Sequence, residues 1–131
     1  MEKKLHQKPV IGPEETIQNW LKTVSKHKPE EIVNLYTIDG VLLGTLAENI
    51  KKGRDYVIEY FNEFVKKKPT GEITSFFVQE SDNFAIVDGT YTFHLMNNGQ
   101  EDSLPARFTF VLKNVNGRWL IATHHSSKQP N

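Results

Sequence analysis

The sequence changes character at Gly71, because everything after that residue favours β-structure. Short turn signals divide this half of the chain, at residues 81–83 (Ser-Asp-Asn), 97–99 (Asn-Asn-Gly) and 116–117 (Asn-Gly). Asn-Gly pairs are typical of tight β-hairpins, which join antiparallel neighbours. The second half of the chain therefore predicts a meander of four strands, at residues 73–80, 84–96, 104–114 and 118–127.

The first half carries helical patterns instead. Pro13 and the two glutamates after it suit the first turn of a helix. The apolar stripe of this helix consists of Ile17, Trp20, Leu21 and Val24. Pro29 begins a short second helix through about Leu35, and Gly53 precedes a third helix that ends before Pro69. The predicted apolar face of the third helix consists of Tyr56, Val57, Tyr60, Phe61, Phe64 and Val65.

Two Asp-Gly pairs indicate local irregularities. Asp39-Gly40 predicts a turn before a short buried strand at residues 41–43. Asp88-Gly89 lies inside the long second strand of the meander and predicts a bulge or bend there.

Helices followed by a meander of long strands predict the α+β class, with the helices on one face of the sheet. We expect a curved antiparallel sheet wrapped around the N-terminal helices, which together form a cone with a pocket at its mouth. Residues 1–12 are polar and are predicted to be a flexible arm. Residues 13–131 are predicted to form a single domain, in keeping with the length of 131 residues.

Composition excludes several classes of function. The 16 basic and 16 acidic residues balance, which argues against a partner that is a nucleic acid or an anionic membrane. The absence of cysteine excludes disulfides, thiolate zinc sites and a cysteine nucleophile. No apolar segment is long enough to span a bilayer. We expect a cytoplasmic protein, or a periplasmic or secreted one if a signal peptide has been removed.

The paired histidines His124-His125 on the last predicted strand are the candidates for chemistry. Histidine is the natural acid or base near neutral pH, and His124 with Tyr91, and with Asp88 or Asp39, could form a polar cluster. Adjacent strand residues point to opposite faces, so the two histidines are expected to have different roles and not to share a metal ion. Strict alternation places Leu120, Ala122, His124 and Ser126 on one face, and Trp119, Ile121, Thr123, His125 and Ser127 on the other.

The sequence contains no phosphate-binding loop, dinucleotide fingerprint, kinase signature or nucleophile elbow. We therefore expect no cofactor, no metal and no kinase activity.

Three stretches together carry a family resemblance. They are the first helix with Trp20, the segment at residues 35–46, and the end of the chain, where a Gly-Arg-Trp hairpin at 117–119 precedes the His-His-Ser-Ser run at 124–127. The chain resembles the association (hub) domain of calcium/calmodulin-dependent protein kinase II, in its stand-alone bacterial form. That family belongs to the nuclear transport factor 2-like, or cystatin-like, cone superfamily. The resemblance covers roughly residues 13–130.

The resemblance implies a pocket between the sheet and the first helices, with His124 and Ser126 facing into it. The implied pocket residues are Trp20, Tyr36, Tyr91, Phe93, Phe108, Phe110, His124 and Ser126. An ungapped match of the Gly-Arg-Trp hairpin puts Phe110 and Ser126 at the positions of two pocket arginines of the kinase, and the third falls near Tyr91. The arginine set that holds anions in the kinase is thus absent here.

The resemblance also implies self-association into a homodimer, or a higher oligomer, through the convex face of the sheet. The implied interface residues are Arg107, Trp119, Thr123 and His125. Arg107 could form a salt bridge in the dimer or bind a carboxylate, and Asp102 is a further candidate for the same role.

Three functions remain open from the sequence. The first is a self-associating module with a pocket for a small organic ligand. The second is a cofactor-independent cyclase-, dehydratase- or isomerase-like enzyme, with His124 as the acid or base together with Tyr91. The third is a subunit that docks onto another protein through an exposed apolar patch formed by Trp119, Ile121 and Val111.

Overall fold

The computed structural model describes residues 7–130 of the chain. Its helices are α1 (Pro13–Val24), α2 (Pro29–Val33) and α3 (Arg54–Phe64), and a short 3-10 turn (Val65–Lys67) follows α3. Its strands are β1 (Tyr36–Leu43), β2 (Lys51–Lys52), β3 (Thr70–Glu80), β4 (Phe84–Asn97), β5 (Gln100–Val115) and β6 (Arg118–Lys128).

The six strands form one curved, unclosed sheet in the order β2-β1-β6-β5-β4-β3. Neighbours are antiparallel except β1 and β6, which are parallel. Helix α1 packs against β3 and β4, and α3 packs against β1 and β2, so the helices cover one face of the sheet. The predicted α+β class and cystatin-like cone are confirmed.

The two hairpins at Asn98-Gly99 and Asn116-Gly117 form as predicted. All four residues have positive φ angles, between 51° and 85°, which is the backbone of a tight two-residue hairpin turn. The resulting strands are long: β4 and β5 pair without interruption from Phe84 to Asn97 of β4.

The first strand is longer than predicted. It begins at Tyr36 rather than at residue 41, because its parallel pairing with β6 starts with Tyr36 opposite Ile121. Asp39 and Gly40 lie inside β1 and form no turn between elements. The pairing is interrupted there, since it resumes only at Val41. The two-residue strand β2 was not predicted.

The bulge that was predicted at Asp88-Gly89 of β4 lies instead in the neighbouring strand β3. The β3–β4 register shifts between Ile73 and Ser75, so Thr74 is the extra residue. A side-chain carbon on Gly89 would overlap the carbonyl oxygen of Ser75. The glycine thus permits the bulged strand to approach closely, which is a known use of glycine in strands.

The core lies between the helices and the concave face of the sheet. Its largest fully buried side chains include Trp20, Tyr36, Tyr91, Phe61 and Phe110. Tyr56 was predicted to lie on the core face of α3, but it is 56% exposed. It falls at the edge of the helical stripe, whereas Val57, Phe61 and Phe64 are buried.

Residues 7–12, the described part of the predicted arm, form no helix or strand. They lie against the β5–β6 hairpin, where the backbone amide of Val10 donates to the Gly117 carbonyl at 3.3 Å and the side-chain amide of Asn114 donates to the Gln7 carbonyl at 2.7 Å. Residues 1–6 of that arm lie outside the described residues. Between residues 7 and 130, no helix is long and apolar enough to cross a membrane.

Candidate functional site

A β-bulge in β6 determines which of its residues face the core. Val111 of β5 pairs with Thr123, and the next residue, Leu112, pairs with Ile121. Ala122 is therefore an extra residue without a partner on β5. Such an insertion shifts the alternation of faces by one position along the strand.

Because of this bulge, part of β6 faces the opposite side of the sheet from the one that strict alternation predicts. Ile121 and His124 both face the core, with 0% and 2% of their surfaces exposed, although three positions separate them. Trp119 also belongs to the core and is 5% exposed. The predictions that Trp119 lies at an interface and that Trp119 and Ile121 form an exposed patch are therefore wrong. His124 and Ser126 face inward, while His125 is exposed on the outer face.

His124 is enclosed by aromatic rings. The Phe110 ring stacks on the imidazole with 3.9 Å between centroids, and the Trp20 ring lies nearly perpendicular to the imidazole with 5.0 Å between centroids. Phe110 comes from β5, where it pairs with His124 directly. Helix α1 supplies Trp20, so strand register and helix packing together fix the position of the imidazole.

Six side chains around this residue form one continuous series of hydrogen bonds, which we call the His124 cluster. Its members, in order, are Trp20, Tyr36, His124, Tyr91, Ser126 and Thr45. The first five are at most 7% exposed, and Thr45 lies at the rim of the core in the segment after β1.

Trp20 fixes the direction of the hydrogen bonds at one end of the cluster. Its Nε1–H can only donate, and it donates to the Tyr36 hydroxyl at 3.2 Å. The Tyr36 hydroxyl lies 3.1 Å from His124 Nδ1, its other partner within the described residues. If Nδ1 carried the proton, the buried Tyr36 hydrogen would have no acceptor, at a cost of about 1–3 kcal/mol. Tyr36 therefore donates to Nδ1, and the proton of the neutral imidazole is on Nε2.

The rest of the cluster follows from this tautomer. His124 Nε2–H donates to the Tyr91 hydroxyl at 3.0 Å, and Tyr91 in turn donates to Ser126 Oγ at 2.7 Å. Ser126 Oγ and Thr45 Oγ1 are 2.5 Å apart. Every ring nitrogen and tyrosine hydroxyl of the cluster thus has its partners.

Burial keeps the whole cluster uncharged. Burial, and to a smaller extent the neighbouring His125, lower the pKa of His124 from 6.5 to about 3. Burial also raises the pKa of the Tyr36 and Tyr91 hydroxyls, because a low-dielectric interior disfavours charge. Near neutral pH the cluster can donate and accept hydrogen bonds, but His124 holds its neutral form.

The space beside the cluster is small. It is a cavity of about 10 Å³, the lower limit for a single water molecule. A larger groove of about 420 Å³ lies outside it, between α3 and the segment after β1. Tyr60 and Phe64 line both spaces. The other groove residues are Leu46, Ala47, Glu48, Asn49, Lys51, Glu59, Glu63, Lys66 and Lys67.

Of the eight side chains expected in the pocket, five line the small cavity, and Tyr36, Phe108 and Phe110 do not. All eight are buried on the inner side of the sheet or on the helices that face it. Phe108 and Phe93 flank Tyr91, at 4.7 and 4.8 Å between centroids. The three positions matched to kinase arginines, Phe110, Ser126 and Tyr91, all contact His124 or its partners.

Sequence reasoning missed the rim of the site. Thr45, Tyr60 and Phe64 line the small cavity, yet none was a candidate, because Thr45 lies in an irregular segment and the two aromatics fit a core stripe. The glycine at position 44 was the one sequence signal of a close contact at this rim, because any side-chain carbon there would overlap the Tyr60 ring.

The two aspartates proposed as partners of His124 lie elsewhere. Asp88 is on the outer face of the sheet and accepts a hydrogen bond from Thr109 at 2.5 Å. Asp39 is exposed and accepts from Thr37 at 3.2 Å. Both side chains are turned away by strand geometry, so the predicted His-Asp pair is wrong.

The other predicted interface residues lie on the outer face. Arg107 and His125 are exposed and Thr123 is half-buried. Asp102 is also exposed and accepts a hydrogen bond from Asn97 at 2.8 Å. Within residues 7–130, no three histidine or carboxylate side chains are grouped where they could hold one metal ion.

Comparison with solved structures identifies similar chains. A Xanthomonas campestris protein, provisionally named a calcium/calmodulin dependent protein kinase II association domain, is 32% identical with a TM-score of 0.87, over 98% of this chain and 99% of that one. A ketosteroid isomerase-like protein from Erwinia carotovora atroseptica is 22% identical with a TM-score of 0.76, over 90% and 94%. A Novosphingobium aromaticivorans protein, provisionally named a scytalone dehydratase, is 13% identical with a TM-score of 0.78, over 89% and 81%. The last two show the shared fold alone.

Family comparison agrees with the fold. No curated protein matches the sequence, but the model of the SnoaL-like domain matches residues 14–131. The predicted resemblance to the kinase II association domains is confirmed by the Xanthomonas relative. The chain belongs to the SnoaL-like family of the nuclear transport factor 2-like superfamily.

Proposed function

We propose that this protein is a self-associating cone domain that pairs with a second copy through the outer face of its sheet and binds a small organic molecule at the His124 cluster. The observation that carries the pairing is a row of three apolar side chains and one threonine on that face. Ile86, Val111 and Thr123 pair in register across β4, β5 and β6, and Val41 of β1 continues the row beside Thr123.

Neighbouring side chains extend this row into a patch, which we call the outer-face patch. Phe77 of β3 and Phe84 of β4 are 73% and 47% exposed. Leu43 lies beside His125 in the pairing of β1 with β6. Apolar side chains grouped on one partly exposed sheet face are typical of protein–protein contact sites. The patch members are Val41, Leu43, Phe77, Phe84, Ile86 and Val111.

Two features favour a second copy as the occupant of the patch. Charged groups of both signs border it, with Asp88 beside Phe77 and with Lys113 and Arg107 on β5. In a two-fold contact each residue occurs twice, so this face can meet opposite charges on its own copy. The Xanthomonas relative, named an association domain, covers nearly the whole chain, which supports the same partner.

The proposal of a ligand site rests on a few polar hydroxyls that lie within otherwise aromatic walls. Polar hydroxyls reach the rim through Ser126 and Thr45, while aromatic rings enclose the rest of the cavity. An apolar site with few convergent polar groups is the usual form of a small-molecule pocket.

The enzymatic alternative is less well supported. It needs a histidine that exchanges protons near neutral pH. The lowered pKa of His124 and the hydrogen bonds at both of its nitrogens argue against that role. The isomerase-like and dehydratase-like relatives are below 25% identity and support only the fold.

Sedimentation equilibrium tests the pairing. The wild type is expected at about twice the 15.1 kDa chain mass at tens of micromolar. Val111→Glu puts two charges into the centre of a two-fold contact and should yield monomers. The matched control is Tyr56→Glu, an equally apolar-to-acidic change on the exposed side of α3, which should leave the dimer intact. A monomeric wild type, or equal effects of both variants, would overturn the proposal.

A further inference from the structure

The inner end of the proposed ligand site carries a spare hydrogen-bond donor. Tyr91 donates to Ser126 Oγ, so Ser126 and Thr45 have two hydroxyl hydrogens and one contact between them, at 2.5 Å. If Ser126 donates to Thr45, the Thr45 hydrogen is left over, and if Thr45 donates, the Ser126 hydrogen is left over. Neither hydroxyl has another partner among residues 7–130, so one hydrogen is available in either arrangement.

The direction of these hydrogen bonds is determined by Trp20, at the opposite end of the cluster from Thr45. Trp20 can only donate, which directs Tyr36 toward His124 and places the imidazole proton on the side of Tyr91. Hydrogen bonds aligned in one direction polarise one another and strengthen the last donor. The site therefore presents a donor, and the matching group on a ligand is an acceptor.

The walls of the cavity determine the charge of that acceptor. Both hydroxyls line the cavity, and the remaining lining residues are aromatic, aliphatic or glycine apart from neutral His124: Trp20, Leu42, Gly44, Tyr60, Phe61, Phe64, Tyr91, Phe93 and Leu104. Among residues 7–130, no cation lines the cavity to compensate a buried anion, and burying an unpaired charge is costly. An uncharged acceptor fits these walls and a carboxylate does not.

Tyr60 separates this cavity from the outer groove of about 420 Å³. Its ring lies on Gly44, where a side-chain carbon would overlap it, and its hydroxyl lies close to the backbone of Leu46. These contacts join Tyr60 to the segment that carries Thr45. Displacement of Tyr60 connects the donor pair with the groove, where Leu46 and Phe64 offer an apolar surface.

We propose that the site selects uncharged molecules that present a hydrogen-bond acceptor, such as a carbonyl or ether oxygen, on an apolar body. The acceptor takes the spare hydrogen of the Ser126–Thr45 pair, and the apolar body lies past Tyr60 in the groove. This inference rests on the ligand-binding part of the proposed function and is independent of the pairing of copies.

Matched probes test the inference by NMR titration. Acetophenone has a carbonyl acceptor, and α-methylstyrene has nearly the same shape with a CH₂ group instead. The wild type is expected to bind acetophenone roughly three- to tenfold more tightly than α-methylstyrene, the usual effect of one net hydrogen bond. Benzoate, a charged acceptor, should bind more weakly than acetophenone.

Two variants locate the effect. Thr45→Val combined with Ser126→Ala moves the spare hydrogen back to Tyr91, farther from the rim, so the preference for acetophenone should shrink. An unchanged Trp20 indole N–H resonance would show that the far end of the cluster is intact in this variant. Tyr60→Ala should tighten the binding of both probes, because it opens the cavity to the groove.

The outcomes separate the two proposals. If both probes bind the wild type equally, or if the double variant keeps the full preference, the acceptor inference is overturned while the ligand site stands. If neither probe binds the wild type or Tyr60→Ala, the ligand site and the inference fail together. The dimer is measured independently by sedimentation.

Discussion

Burial controls the protonation of His124. The imidazole is 2% exposed, stacks on Phe110 and receives its hydrogen bond from Tyr36 on Nδ1. Protonation would require Nδ1 to donate, which reverses that bond and puts a charge among aromatic rings. A histidine in such surroundings acts as a fixed neutral connector between two hydroxyls.

The pH dependence of the free energy of unfolding should reveal the low pKa of His124. The folded pKa of His124 is about 3 and its ordinary value is 6.5, so the unfolded chain binds the proton more readily. The stabilisation is therefore complete above pH 6.5 and is lost as the pH falls toward 3. Each pKa unit corresponds to about 1.4 kcal/mol, which makes the total loss several kcal/mol.

Urea unfolding of the wild type between pH 7.5 and 4 measures this loss. His124→Gln should flatten the decline, and His94→Gln, which leaves His124 in place, should keep it. A resonance of His124 that titrates near pH 6.5 in the folded protein would contradict the low pKa directly.

Bulges are the feature of the strands that sequence patterns predicted least well. The family resemblance correctly placed His124 and Ser126 inward. Strict alternation then put Trp119 on the opposite face, because Ala122 carries no sign that it is an extra residue. Gly89 correctly indicated a nearby bulge, but that bulge lies in the partner strand β3. Whether a glycine bends its own strand or accommodates a neighbour depends on pairing across the sheet, which a single sequence does not encode.

Gly89→Ala tests the contact between β3 and β4. The added methyl group would overlap the carbonyl oxygen of Ser75 in the bulged strand, and backbone cannot move aside as a side chain can. We expect a loss of stability of about 1–3 kcal/mol in urea unfolding. The control is Gly12→Ala at the start of α1, where the atoms nearest to the added methyl group belong to the flexible carboxylate of Glu14. The loss there should be no more than about 1 kcal/mol, the usual effect of alanine at a helix N-cap. Similar losses for both variants would rule out the close approach as the cause.

At the scale of the whole molecule, the cone was predictable and the size of its cavity was not. Turn signals and apolar stripes determine the order of helices and strands, and these determine the cone. The free space inside is the difference between two large volumes, that of the cone and that of its side chains. Here Trp20, Phe61 and Tyr91 fill the interior almost completely, and the larger opening lies at the rim beside Tyr60. Residue types alone do not give that difference.

Thermal unfolding should depend on protein concentration if two cones pair through the outer-face patch. Unfolding then includes dissociation, and each tenfold increase in concentration stabilises the dimer by about 1.4 kcal/mol. We expect the Tm of the wild type to rise by a few degrees over a hundredfold range of concentration in circular dichroism. Val111→Glu should show a lower and concentration-independent Tm, and Tyr56→Glu should follow the wild type. A wild-type Tm that is constant over this range would mean that the stability of the cone does not depend on a partner, and that the outer-face patch is not an interface between copies.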